Sequence, residues 1–143
     1  MGDRKIDIYK AGAILIRDRK VLLTHEQGKK FYTAPGGKVE QYETAEEALI
    51  RELLEEVNIT VTADNLEFFG TFYAEAAGNE QKYLQMDVYI IQAWSGEPTP
   101  NSIEEVIDDI AWVNTQYRPK SISIGSIFEH QVMPRLKVQQ LID

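Results

Sequence analysis

The sequence predicts an α/β fold, a mixed β-sheet packed between helices, and three observations carry that expectation. An amphipathic helix occupies residues 45–57, near the middle of the chain. Stretches rich in β-branched and aromatic residues lie on both sides of it. A second run with helical spacing closes the chain over residues 126–141.

The elements follow in order. Residues 6–16 read as a strand, and the turn at Asp18-Arg19-Lys20 leads to a short partner at 21–24. Residues 26–30 read as a loop and 31–33 as a brief strand, running into Pro35-Gly36-Gly37, which is expected to make a tight turn. Thr44 suits the N-cap of the central helix, and Glu47 three residues on completes a capping box. Ile50, Leu53, Leu54 and Val57 form its core-facing side. Beyond it, 59–62 and 66–74 read as strands, 76–80 as a turn, 83–94 as a long strand and 110–113 as a short one. The closing helix carries Ile127, Val132, Met133, Leu136, Val138 and Leu141 at helical spacing, and Pro134 is expected to kink or split it.

A chain of 143 residues suits one domain spanning 1–143. Its 43% hydrophobic and 27% charged content is that of an ordinary soluble protein. No apolar run approaches the roughly 20 residues of a membrane span, and Asp7 and Lys10 interrupt the opening stretch, so neither a signal peptide nor a membrane partner is expected. The absence of cysteine excludes disulfides and thiolate metal sites and fits a cytoplasmic location. Fifteen basic against 23 acidic residues argue against a nucleic-acid polymer as partner. They leave room for a small phosphorylated substrate reached through bound cations.

The most informative residues lie in the run RELLEE. Glu52, Glu55 and Glu56 stand at i, i+3 and i+4, and so share one helix face. Three clustered carboxylates repel one another unless a cation sits between them, and a hard divalent ion such as Mg²⁺ meets that need. On its own such a face is more often a solvated helix surface than a metal site. Here it stands in register with Pro35-Gly36-Gly37, Glu43 and Arg51, which tips the reading toward metal.

From Gly37 the order is five residues, Glu43, seven residues, Arg51-Glu52-Leu53, one residue, Glu55-Glu56, one residue, Asn58, Ile59. This resembles the signature box of the Nudix hydrolases, the MutT-like proteins, at every fixed position but one. Asn58 stands where the family has its last glycine. That glycine ends the helix in a left-handed conformation, and asparagine is the next residue to tolerate it.

The resemblance implies a Nudix α/β/α sandwich and metal-dependent hydrolysis of a nucleoside diphosphate linked to another moiety, by water attack at phosphorus. It implies a small-molecule nucleotide-type substrate and Mg²⁺ as cofactor, with Mn²⁺ as a substitute. Carried over by position, Glu55 and Glu56 look like the principal metal ligands, Glu52 like a ligand or the general base, and the Gly36 carbonyl like a backbone ligand. Arg51 and Glu43 look like supporting catalytic residues, tying loop to helix or orienting Glu52. Some relatives recruit a further acid from a distant loop; Glu104 and Glu105 lie near that place, with Val106 at its commonest position.

His25 and His130 have no nearby ligand partners in sequence and are assigned ordinary surface or core roles. Phe31 and Tyr32 could stack on a base or pack in the core. Tyr73 falls where some relatives place a substrate-selecting residue. Two other readings compete. A catalytically silent Nudix domain that binds a nucleotide or partner would be favoured by lost box acids, and none is lost. An isomerase of isoprenoid diphosphates would be expected to carry a reactive cysteine. The sequence leaves the oligomeric state open, a homodimer included.

Overall fold

The computed structural model describes residues 4–76, 79–101 and 106–143, with only the backbone of 79 and 80. Eight strands are present among them: β1 (Ile8–Ile14), β2 (Ile16–Arg17), β3 (Lys20–Glu26), β4 (Tyr32–Thr33), β5 (Gly36–Lys38), β6 (Leu66–Ala76), β7 (Asn79–Ile91) and β8 (Ile107–Val113). Helix α1 spans Ala45–Val57, and α2 spans Met133–Val138 after a π-helical turn at Phe128–Val132.

Four strands form a sheet in the order β5-β1-β7-β6. The β1–β7 ladder is parallel, pairing Ile8 with Leu84 and Ile14 with Ile90, whereas β1–β5 and β6–β7 are antiparallel, so the sheet is mixed. A second sheet is built around β3, which pairs with β2, β4 and β8. Strand alternation sends successive residues to opposite faces and here fills two cores. Ala11, Ala13 and Leu15 pack with Leu49, Leu53 and Val57 of α1. Ile14, Leu23 and Val88 pack instead with Val132, Met133 and Leu136 of the closing helix. The sheets therefore lie between helices, as expected.

Several local expectations are corrected. Gly36-Gly37 is not a turn but the start of β5, running against β1 with Gly36 opposite Gly12. The strand lies so close that a Cβ on Gly36 would come 2.0 Å from the Ala11 carbonyl oxygen, and Gly36 adopts φ 139°, a region open to glycine alone. Residues 59–62 make only the single bridge between Thr60 and Ser95. Ile59 and Val61 are buried, but a short 3₁₀ turn at Ala63–Asn65 ends the ladder, with the Thr62 N–H donating to Asn65 Oδ1. Of the turn expected at 76–80, Ala76 and Asn79 pair as the ends of β6 and β7, and residues 77 and 78 lie outside the described residues.

Pro134 does not split the closing helix. The Met133 N–H reaches back five residues to the Phe128 carbonyl, and this wider turn precedes a proline that has no N–H to offer and whose ring crowds the preceding turn. Leu54, expected on the core face of α1, is exposed, while Glu52 and Glu56 are buried. The side of α1 that meets the sheet is thus rotated toward the acids. Among the described residues no helix is long and apolar enough to cross a membrane.

Candidate active site

Helix α1 sets the site and is fixed at both ends. Thr44 Oγ1 accepts from the Glu47 N–H while Glu47 accepts from the Thr44 N–H, a complete capping box. At the other end Asn58 adopts φ 61°, ψ 31°, and its amide donates to the Thr99 carbonyl and hydroxyl at 3.1 and 3.0 Å. Asparagine thus performs the left-handed cap and adds bonds that a glycine lacks.

Glu52 and Glu56 are each only 7% exposed. The Gly36 N–H donates to Glu56 Oε1 at 2.8 Å, which ties α1 to the first residue of β5. A Cβ on Gly37 would lie 2.6 Å from Glu52 Cδ, so the second glycine makes room for that carboxylate. Burial pushes the Glu52 carboxyl above the usual carboxylate range, and Arg51 partly opposes this.

Arg51 joins the acids. Its Nη2 donates to Glu43 Oε1 at 2.6 Å and its Nε to Glu43 Oε2 at 3.3 Å, a two-point contact. Its Nη1 donates to Glu52 Oε1 at 2.9 Å and to Glu55 Oε2 at 3.3 Å. The hydrogen bond from Arg51 holds the Glu43 carboxyl below its ordinary value. Glu43 also accepts from the Glu40 N–H, so the loop ahead of α1 is fastened to the helix through one guanidinium.

The diglycine edge opens on a cavity of about 510 Å³. Lys10, Lys29 and Lys30 line it together with Glu26, Glu75 and apolar Phe31, Leu84 and Met86. Burial, and then the neighbouring Lys38, lower the Lys10 pKa, while Glu56 acts in the opposite sense. This combination of ammonium groups and apolar surface suits a ligand that is part phosphate and part ring system.

The donor set around α1 is all oxygen, which fits a hard divalent cation. Arg51 stands beside Glu52 and Glu55 as their cationic partner. Glu56 turns instead to Gly36, and among the described residues no three acidic or imidazole groups converge as a ready metal cage. The donors are therefore assembled in chemistry but held apart in side-chain orientation.

The remaining predicted residues are dispersed. Glu104 and Glu105 lie outside the described residues; Val106 is exposed and its carbonyl accepts from the Gln27 N–H. Phe31 lines the cavity, whereas the Tyr32 hydroxyl donates to Asp109 at 2.5 Å. Tyr73 is exposed and stacks on Tyr83, with ring centroids 5.9 Å apart. His130 falls within the π-helical turn. Sequence reasoning missed Lys10 at the cavity and the network of His25, whose partner Asp108 lies across the β3–β8 ladder. Only strand register could have revealed either.

Comparison with known proteins accords with this geometry. The model of the NUDIX domain matches residues 8–120. The 8-oxo-dGTP diphosphatase of Haemophilus influenzae is 37% identical over 100 residues, covering 67% of this chain and 70% of that protein. The 8-oxo-dGTP diphosphatase of Proteus vulgaris is 31% identical over 103 residues, covering 69% of this chain and 88% of that one. The crystal structure of a MutT NUDIX hydrolase from Burkholderia pseudomallei superposes with a TM-score of 0.69 at 23% identity, over 93% of this chain and 96% of that one, a likeness of fold. A box helix with its acids, a diglycine strand beneath it and a matched domain of this extent place the chain in the Nudix family, as a MutT-like hydrolase of phosphoric anhydrides.

Proposed function

We propose that this hydrolase is a divalent-metal-dependent pyrophosphohydrolase of nucleotides, cleaving a nucleoside diphosphate linked to another moiety by attack of water on phosphorus. Nucleoside triphosphates are the substrate class, and an oxidised purine such as 8-oxo-dGTP is the first to test, since the relatives above bear that name. The observation that carries the reading is the pair of buried carboxylates, Glu52 and Glu56, packed against Gly36-Gly37 at the edge of a lysine-bearing cavity.

Glu55, Glu56, Glu52 and the Gly36 carbonyl would hold Mg²⁺ or Mn²⁺. Such an ion supplies charge neutralisation for the pyrophosphate and lowers the pKa of bound water. The chain's own residues do the rest. Glu52, whose proton affinity burial has raised, is suited to hold or accept the proton of the attacking water. Arg51 fixes that carboxylate from the side. Lys10, Lys29 and Lys30 meet the phosphates, and Phe31, Leu84 and Met86 offer apolar surface to the base.

The test is a panel of nucleoside triphosphates, 8-oxo-dGTP among them, incubated with Mg²⁺ or Mn²⁺ and resolved by chromatography. The expected products are a nucleoside monophosphate and inorganic pyrophosphate, with ¹⁸O from labelled water in one of them and no reaction in EDTA. Full turnover in a rigorously metal-free assay would overturn the metal. Binding without turnover across the whole panel would leave the silent-domain reading in its place.

A further inference from the structure

We propose that His25, as an imidazolium, is a positioning residue that fastens residues 27–31 beside the cavity, and that loss of its proton loosens the site's hold on a polyphosphate. The β3–β8 ladder pairs His25 with Asp109 and then Glu26 with Ile107, so Asp108 is an extra residue in the ladder. Such a bulge re-aims a side chain. Two successive carboxylates, which an unbroken strand would send to opposite faces, both serve the β3–β4 side: Asp108 Oδ1 lies 2.5 Å from His25 Nδ1, and Asp109 accepts from Tyr32.

The other imidazole nitrogen faces an acceptor as well. His25 Nε2 is 2.7 Å from the Lys29 carbonyl oxygen. A carbonyl never donates, and an ionised carboxylate does not either. A neutral imidazole has one N–H, so it satisfies one partner and turns a lone pair on the other; only the imidazolium donates to both.

The surroundings favour the cation. The hydrogen bond His25 donates to Asp108, then that to the Lys29 carbonyl, raises the His25 pKa. Asp109, opposite on β8, adds a second negative charge, with Lys120 Nζ 3.6 Å from it. Tyr32 of β4 lies beside the ring at 4.8 Å between centroids, and its phenol is pushed up to about 12, by burial first and Asp109 second, so it stays neutral. Glu26 and Lys29 pair with each other, with Nζ and Oε2 3.8 Å apart.

The clamp matters because of what the loop carries. Gly28, Lys29, Lys30 and Phe31 all line the cavity. Among the described residues the loop is also held by the Lys29 and Gln27 N–H groups, which donate to the Glu26 and Val106 carbonyls, and by the Lys29–Glu26 pair. The reach to substrate rests on the function proposed above; the clamp itself does not.

Two measurements decide it, and they fail separately. The first is ¹H–¹⁵N NMR of the whole protein without ligand from pH 5.5 to 9. The His25 midpoint should lie above that of a free imidazole, and the amides of residues 28–31 should move with the same midpoint. Loop amides that ignore the His25 titration overturn the clamp, whatever the enzyme's substrate.

The second is steady-state kinetics on Mg²⁺–dGTP, with calorimetry of Mg²⁺–tripolyphosphate binding should dGTP not turn over. Above the His25 midpoint, KM or Kd should rise about fivefold, the scale of one hydrogen bond, and His25→Ala should show that weaker value at every pH. Asp108→Asn should abolish the pH step yet keep tight binding, because the Asn amide can donate to Nδ1 while a neutral imidazole donates from Nε2 to Lys29. A role in stability alone would leave KM and Kd of the folded variants unchanged. Wild type and Asp108→Asn sharing one pH profile would equally overturn the proposal.

Discussion

One run of chain, residues 36–56, supplies the acidic helix and the diglycine edge that borders the cavity, whereas the cavity's other walls gather Lys10 from β1, residues 28–31 from a loop and Leu84 and Met86 from β7. The two sides are held differently. On the acidic side Glu56 bonds to the Gly36 N–H, Arg51 binds Glu43, Glu52 and Glu55, and α1 is capped at both ends. On the basic side a loop depends on a few hydrogen bonds to neighbouring strands. A rigid side suits groups that must stand in fixed geometry to the reacting atoms. A lightly held one suits recognition of the rest of the substrate.

Changes to the acidic side should cost catalysis most. Glu52→Gln should lower kcat by roughly 10²-fold or more, the scale of general-base catalysis, with KM changed far less. If the variant stays nearly as active, the base lies elsewhere, with Glu105 the next candidate. Glu56→Gln should weaken Mn²⁺ binding measured by calorimetry, while the amide oxygen can still accept from the Gly36 N–H.

Next in size is Gly37→Ala. Its Cβ would displace the end of a flexible side chain, Glu52 Cδ at 2.6 Å, rather than backbone. Turnover should fall about tenfold, a scale set by misplacement of a catalytic group, while the melting temperature stays close to wild type. Gly36→Ala sharpens the contrast, because its Cβ would meet backbone at 2.0 Å. It should lose about 1–3 kcal/mol of stability in chemical denaturation.

The Arg51–Glu43 contact predicts a pH dependence. The Glu43 carboxyl is depressed in the folded protein by its hydrogen bond from Arg51, so the stability it contributes is present above the ordinary carboxylate pKa and lost as pH falls through the depressed one. The difference in melting temperature between wild type and Glu43→Gln should therefore be full at pH 7 and vanish in acid. A difference that persisted in acid would show that something other than the carboxylate's charge is at work.

The smallest effect belongs to the helix end. Asn58→Gly relieves a left-handed asparagine but gives up two bonds to Thr99, so stability should change by no more than about 1 kcal/mol. Asn58→Val should be clearly worse, because a β-branched residue resists that conformation. Equal melting temperatures for the two variants would remove the cap as the explanation.

What could be read beforehand follows the same division between the two sides. The capping box, the span of α1 and its left-handed end are local properties, and residues 44–58 display them directly. The family box lies in the same run. The burial of Glu52 and Glu56 was not legible, since it depends on how β5 presses against α1. Nor was β5 itself, because proline and two glycines signal a turn unless a neighbouring strand is close enough to exclude side chains. His25 pairs with Asp108 only because a bulge shifts the register of β8, and no spacing in the sequence announces a bulge. Pro134 was legible as the place where the closing helix is disturbed, but not the form of the disturbance, a π-helical turn ahead of it rather than a split.

The double capping of α1 also bears on the order in which the chain folds. Its capping box at Thr44 and Glu47 and the Asn58 N–H bonds to Leu53 and Leu54 are close in sequence, so the helix can start from local contacts, while the Glu56 and Val57 carbonyls wait for Asn101 and Thr99. The β1–β7 ladder instead joins residues as far apart as Ile8 and Leu84, and its formation must first close the long intervening loop. The helix that carries the acids lies within that loop, so it can nucleate early and then serve as the surface on which β1 and β5 condense.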